Sequence, residues 1–390
     1  MLNNKTSFLD YASTTPVDPQ VIDAMMPYFN QRYGNSSSIH ALGQQAENAL
    51  EKSRLSIANN LGAQTKEVIF TSCGSESDNL ALRGVAFAQR EKNSANHILI
   101  SAVEHHAILN TANQLGKLHG FEVEIIPVDE FGLVDPADVK QRIRDDTAVI
   151  SIILANNEIG SINPVREIGE ICRTRGVPFH TDAVQAAAHL PIDVDDLNLD
   201  LLSIGAHKFY GPKGVGALYI RQDTPIIPVQ TGGGQEHNLR AGTHNVPLIV
   251  GMAKALELVQ DNLEERNRHY SEMRDLIFST ITESIDATKI TGHPTIRLPN
   301  HSSFAFKDVD GNTLLMMLDA AGFACSSGSA CKTGSPEPSE VLIAMGFSPR
   351  WALGSLRVTL GQQNSFEDLE IFLETLPDLV HNLRKLGYTD

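Results

Sequence analysis

Cysteine is scarce in this chain. Four cysteines in 390 residues are too few for a disulfide framework. A reducing, cytoplasmic setting is therefore expected, in which an unusual cysteine serves chemistry rather than cross-linking. Residues 1–10, MLNNKTSFLD, lack the apolar segment of a secretion signal. No run of the sequence is apolar enough for a membrane span.

Positive charge is also in short supply. Lys and Arg number 31 against 47 Asp and Glu, a formal net charge of −16. Such a balance argues against non-specific binding to nucleic acid or an anionic membrane. It leaves room for a specific basic protein partner. Internal repeats and low-complexity tracts are missing as well. So is any metal-spaced His/Cys/acid pattern such as H-E-x-x-H, and no metal is expected.

What the chain does have is length and apolar material. At 390 residues, 42% hydrophobic and 20% charged, it is a globular protein large enough for two domains. The first two-thirds alternate short apolar runs with amphipathic stretches, the signature of a parallel sheet covered by helices. Strands are expected at Val68–Thr71, Ile98–Ser101, Val123–Val128, Ala148–Leu154, Val177–Thr181, Leu201–Ile204 and Ala217–Ile220. Helical patterns such as Asn79–Gln89 and Val165–Arg175 lie between them. The latter follows Pro164 and stops at Gly176, as a helix should. A long polar stretch, Met252–Thr282, reads as one connecting helix. Beyond it, strands Ser302–Phe306 and Ser355–Thr359 mix with helices Thr313–Ala321, Glu340–Met345 and Phe366–Leu386, an α+β pattern. The Gly/Ser-rich run CSSGSACKTGS, Cys325–Ser335, has the composition of a mobile loop.

Ligands of open α/β sheets bind beyond the carboxyl ends of the strands. The polar residues just past each expected strand should therefore converge. They include Gly74 and Ser75, Glu104, His105 and His106, Asn156, Asn157 and Glu158, Asp182 and Gln185, and His207 with Lys208. Gly74-Ser75, between a strand and a helix, can bind an anion or simply cap the helix. Lys208 can form a Schiff base with a carbonyl cofactor or be a solvated charge. Asp182 can pair with a protonated pyridine nitrogen or act as an N-cap. His105 can lie on an aromatic cofactor and move protons or satisfy a strand end, and His106 is the more structural of the pair. Arg357, inside a strand-like run, needs an anion, either a substrate carboxylate or an interdomain partner. Cys331 sits next to Lys332 in the Gly/Ser-rich run. A thiol in a mobile loop suits reaction better than packing. Cys325 reads as packed, and Cys73 and Cys172 as structural.

Taken in order, these residues resemble the NifS/IscS-like cysteine desulfurases, a class V aminotransferase branch of the fold-type I enzymes that use pyridoxal 5′-phosphate (PLP). The matching segments are LDYASTTP (Leu9–Pro16), the Gly74 turn through Asn79, NNEIG (Asn156–Gly160), HTDAVQ (His180–Gln185), AHKFYGPKG (Ala206–Gly214), RAGT (Arg240–Thr243) and SSGSAC (Ser326–Cys331). The resemblance covers nearly the whole chain. It implies a mostly parallel large-domain sheet flanked by helices, plus a smaller α+β domain. Residues 15–262 would form the PLP-binding domain. Residues 1–14 and 263–390 would form the small domain with its mobile loop, 325–336.

The roles it implies are specific. Lys208 would carry PLP, Asp182 would pair with the pyridine nitrogen and Gln185 with the phenolic oxygen, and His105 would stack on the ring. Gly74, Ser75 and His207 would hold the phosphate, joined by Thr243 of a neighbouring subunit in a homodimer. Asn157 and Arg357 would grip the carboxylate of L-cysteine. Cys331 would take the sulfur as a persulfide and pass it to an acceptor or iron–sulfur scaffold protein. Two positions depart from the resemblance. Gly205 stands where many relatives have a phosphate-binding serine, and Asn35-Ser36 replaces an Asn-Pro turn. Selenocysteine lyase or cysteine lyase on the same scaffold is the alternative activity.

Overall fold

The computed structural model describes residues 6–328 and 337–387. Each apolar run of the first two-thirds becomes a strand of one seven-stranded sheet. Its order is Val68–Thr71, Gly216–Ile220, Leu201–Gly205, Phe179–Asp182, Thr147–Ser151, His97–Ser101 and Glu122–Ile126. Gly216–Ile220 runs antiparallel to both its neighbours. The remaining neighbours pair in parallel. All six strands other than Glu122–Ile126 are buried at every position. Helices on both faces require this, and it explains why these strands read as continuous apolar runs rather than alternating ones.

Helix Gly74–Asn93 covers one face through Leu80, Ala81 and Val85. Helix Val165–Arg175 ends where expected, with Gly176 in the left-handed conformation at φ 68°. The expected single connector does not form. It is two helices, Val246–Asp261 and Leu263–Ser284, separated at Asn262 (φ −122°, ψ 28°). The apolar pattern changes partner there. Met252, Leu256 and Val259 pack on the large-sheet core, whereas Tyr270, Met273, Ile277 and Ile281 join a second cluster.

That second cluster lies on a three-stranded antiparallel sheet of Thr288–Ile290, His301–Phe306 and Ser355–Thr359. Helices Gly311–Ala320 and Phe366–Leu386 supply Leu314, Leu318, Phe372 and Leu376 to it. The N-terminal segment reaches this layer too. Ser7–Phe8 pairs in parallel with Phe323–Ala324, and Asp10 bridges Thr359. From there the chain crosses to the large sheet, where Thr15 N–H donates to the carbonyl of His207 at 2.9 Å.

Candidate active site

The parallel strands end at a cavity of about 210 Å³. Gly74, Ser75, His105, Asn157, Asp182, Gln185, His207 and Lys208 all line it. These eight are the expected residues that the fold does bring together. Cys73, Asp78, Ile153 and Val184 complete the wall.

Gly74 begins a 20-residue helix whose N-cap residue, Cys73, makes no side-chain cap hydrogen bond. The capping reading of this turn therefore gives way. The first amide groups of the helix face the cavity without a side-chain acceptor, and the helix dipole favours an anion there. The approach is close. A Cβ added to Gly74 would meet Val184 Cγ2 at 2.6 Å, so a side chain there would have to displace that methyl group. At Gly205 a Cβ would lie 3.4 Å from the Gly74 nitrogen, an ordinary contact aimed at the same turn. Gly205 thus leaves space beside the anion site rather than lining it.

Lys208 lies in a short helical turn, Ala206–Lys208, just past strand Leu201–Gly205. Its Nζ donates to the carbonyls of Ala12 at 2.5 Å and Ser13 at 2.7 Å. Burial and the nearby Arg357 charge lower its pKa to about 8, against the opposing pull of Asp10 and Asp182. A lysine in this state supplies free amine near neutral pH, as a Schiff-base nucleophile and proton carrier must. Gln185 Nε2 donates to the same Ala12 carbonyl at 2.7 Å. His207 Nδ1 is 3.2 Å from Thr14 Oγ1. Burial, then the charges of Lys208 and Lys213, push its pKa down to about 4, so it is neutral.

Asp182 is buried at the end of its strand and accepts from Val184 N–H at 2.9 Å. Burial raises its pKa, with His105, the Val184 N–H and Lys208 opposing. His105 is the N-cap of helix His106–His119, where its Nδ1 accepts from Ala107 N–H at 3.1 Å. That bond fixes the ring while leaving it accessible to the cavity, so the structural and functional readings of His105 hold together.

Arg357 is buried in strand Ser355–Thr359 and lines a second, adjoining cavity of about 330 Å³ with His105 and Asn157. Its Nη1 donates to the Asn157 carbonyl at 2.9 Å, and its Nη2 pairs with Asp10 Oδ1 at 2.8 Å. Nε has no partner. The ion-pair reading of Arg357 is therefore met by Asp10, and the guanidinium still reaches a cavity wide enough for a small carboxylate. On the same side Glu158 accepts from Ser339 Oγ at 2.6 Å, and burial raises its pKa to about 7.

Cys331 lies outside the described residues. Thr243 is exposed and lines neither cavity of its own chain, on the loop after strained residues Glu236, His237 and Asn238, all with positive φ. That loop is pinned by Glu236, whose carboxylate accepts from Arg54 at 2.7 and 2.9 Å, from Phe70 N–H at 2.7 Å, and lies 2.7 Å from His244 Nε2. Burial pushes the Glu236 pKa up, but these hydrogen bonds and the Arg54 charge win and bring it from 4.5 to about 2. A depressed carboxyl stabilises the fold fully above its unfolded value and loses that contribution as pH falls through the folded one. Glu236→Gln is therefore expected to destabilise by about 3 kcal/mol at pH 7, since it removes the buried carboxylate partner of Arg54 and leaves it only the half-exposed Glu51. The difference from the parent should shrink as pH drops from 4.5 towards 2. Urea midpoints across that range measure it. A difference that stays constant with pH would remove Glu236 from the acid limb.

The structure also gives positions to residues whose roles the sequence leaves unassigned. The N-terminal segment forms a clamp: Thr15 Oγ1 accepts from Tyr210 N–H at 2.7 Å and lies 3.1 Å from the His207 carbonyl. Asp10, Thr14 and the Ala12 carbonyl complete it. Glu104 is buried in the wall of the second cavity and accepts from Ser101 Oγ at 2.5 Å and Ile153 N–H at 2.7 Å. Burial lifts its pKa to about 8. Of the other cysteines, Cys172 is core and Cys325 packs against the second cluster. Burial raises both their pKa values.

A crevice at the carboxyl ends of a mostly parallel sheet, with lysine, aspartate and an uncapped helix N-terminus in one cavity, defines a fold-type I PLP enzyme. The chain matches the aminotransferase class-V family over residues 7–372 and belongs to it. It is 48% identical over 384 residues to the cysteine desulfurase IscS of Methanosarcina thermophila, covering 98% of this chain and 94% of that protein. Among solved structures, a NifS-like protein superimposes with a TM-score of 0.90 at 36% identity, covering 97% of this chain and all (100%) of that one. SspA in complex with cysteine superimposes with a TM-score of 0.81 at 35% identity, covering 91% and 99%.

The family's cofactor is PLP, and the residues present fit it. The Gly74–Ser75 cradle suits a phosphate. Buried Asp182 suits a protonated ring nitrogen. Lys208 suits the aldehyde. The donor atoms of Asp78, His105 and Asp182 also lie within 4.8 Å of one another, the one group among the described residues with metal-like spacing.

Proposed function

We propose that this protein is a PLP-dependent cysteine desulfurase that converts L-cysteine to L-alanine and takes the sulfur as a persulfide on Cys331. The observation that carries the reading is the union of Lys208, Asp182 and the uncapped Gly74–Ser75 turn in one cavity that adjoins Arg357. The cysteine desulfurase relatives supply the choice of reaction. When bound, PLP offers a carbonyl to the substrate amine and a ring that takes up the electron pair released at Cα.

The chain's own residues do the rest. Arg357 and Asn157 would hold the substrate carboxylate, and Gly74, Ser75 and His207 would hold the cofactor phosphate. Asp182 would keep a proton on the ring nitrogen, Gln185 would donate to the phenolic oxygen, and His105 would pack against the ring. Lys208, with its lowered pKa, removes the Cα proton and returns protons to the carbon skeleton. The Cys331 thiolate attacks the substrate sulfur. An S–S bond forms, the Cβ–S bond breaks, and its electron pair stays with the carbon that leaves as alanine. The sulfur then passes to an acceptor protein, an iron–sulfur scaffold being the natural candidate.

Two further parts belong to this reading. Residues 15–262 act as the cofactor-binding domain, with 1–14 and 263–390 as the small domain, a division the two separate apolar clusters support. The active form is a homodimer in which Thr243 completes the partner's phosphate site. Met26, Phe29, Tyr33 and Ile39, exposed at 51, 54, 66 and 93%, support an apolar contact face. No helix among the described residues is long and apolar enough to cross a membrane. A reducing cytoplasm suits a mechanism that needs a free thiolate.

The product distinguishes this activity from its rivals. Purified holoenzyme given L-cysteine and a thiol reductant should form alanine and sulfide in equal amounts. Pyruvate in place of alanine would mean a lyase and sink the proposal. Arg357→Lys keeps the charge but loses the planar fork. It should lower kcat/KM by about tenfold or more, chiefly through KM. An unchanged KM would take Arg357 out of substrate binding.

A further inference from the structure

The cavity holds one more carboxyl than this chemistry uses. Asp78 sits one turn into helix Gly74–Asn93, is 1% exposed and lines the cavity wall. One oxygen of Asp78, one of Asp182 and a ring nitrogen of His105 lie within 4.8 Å of one another. Among the described residues no lysine or arginine pairs with Asp78, and its Oδ1 has no hydrogen-bond partner. The nearest imidazole nitrogen, His180 Nε2, is 3.7 Å away, beyond hydrogen-bond range. His180 is already engaged at both ring nitrogens, by Ser151 Oγ and Ser203 Oγ at 2.9 Å each.

The remaining groups that act on Asp78 offer no positive charge. Ser203 hydrogen-bonds it, while Asp182, Glu104 and Cys73 each disfavour a second anion. His180 is held neutral by burial, its pKa near 3. His105 and Lys208 both act on Asp182 instead. A bare carboxylate at Asp78 would be uncompensated in a dry site. Where two carboxyls share such a site, one keeps its proton.

We infer that Asp78 is a positioning residue of the cofactor-nitrogen site: it remains a neutral carboxylic acid, turns its proton toward Asp182, and leaves Asp182 the single negative charge facing the ring nitrogen. This rests on reading the cavity as the PLP site. The shape and the proton, not a charge, are what Asp78 contributes.

The test compares holoenzyme with Asp78→Asn at neutral pH by infrared difference spectroscopy in D₂O. The parent should show a protonated-carboxyl C=O band that Asp78→Asn lacks. A Glu104→Gln sample assigns the separate band of that buried acid. The pH midpoint of the visible cofactor absorbance should move by less than about half a pH unit in Asp78→Asn, because one neutral group replaces another. An unaltered carboxyl region, or a midpoint lowered by more than about one unit, would show a charged Asp78 and overturn the inference. If Asp78→Asn does not fold, Asp78→Ser gives the same two readouts. Parent protein that takes up no PLP would defeat the cofactor reading instead, and the infrared comparison would still decide the state of Asp78.

Discussion

Lys208→Ala is expected to yield a folded protein without the visible absorbance of bound PLP and with turnover reduced by at least about 10³-fold. The fold should survive because Lys208 contributes only two hydrogen bonds to the core framework, those to the Ala12 and Ser13 carbonyls. Its side chain is replaced by a smaller one beside an existing cavity. Activity should not survive, because among the described residues no other lysine lines that cavity. Lys213, the nearest in sequence, is exposed in the following turn. Lys213→Ala should therefore keep both the spectrum and the rate within about twofold. Turnover in Lys208→Ala, or its loss in Lys213→Ala, would reassign the attachment point.

Cys331→Ser separates the cofactor chemistry from the sulfur chemistry. The variant should bind PLP with an unchanged spectrum, since the cofactor residues Gly74, Ser75, Asp182 and Lys208 are untouched. Alanine formation should fall on the order of 10²-fold or more, because a serine hydroxyl is not ionised near neutral pH and is a poor nucleophile towards sulfur. Cys325→Ser serves as the control. Burial raises the Cys325 pKa, which keeps it in the unreactive thiol form, so this variant should retain activity. Normal alanine production by Cys331→Ser would exclude Cys331 from the mechanism.

Much of this site is legible in the sequence because an α/β sheet places its ligand residues by a simple rule. Asp182, Lys208 and Gly74 each follow a buried apolar strand, and the strands' parallel order brings their ends to one crevice. The N-terminal clamp obeys no such rule. Thr15 meets His207 across 192 positions and Asp10 meets Arg357 across 347, separations that no local pattern encodes. The break in the connector at Asn262 is hidden from the sequence for a related reason. A helical period continues on both sides of Asn262, while the face that is buried changes from one core to the other. Asp78 looks like an ordinary polar helix residue in sequence. Only the packing of its helix on the sheet shows that its carboxyl faces Asp182.

The most direct test of the central claim is the mass of the Cys331 peptide after purified holoenzyme is mixed with one equivalent of L-cysteine without reductant. The account predicts a peptide heavier by one sulfur atom, formed in step with an equal amount of alanine and reverting on thiol treatment. Alanine or pyruvate released while Cys331 stays unmodified would contradict it.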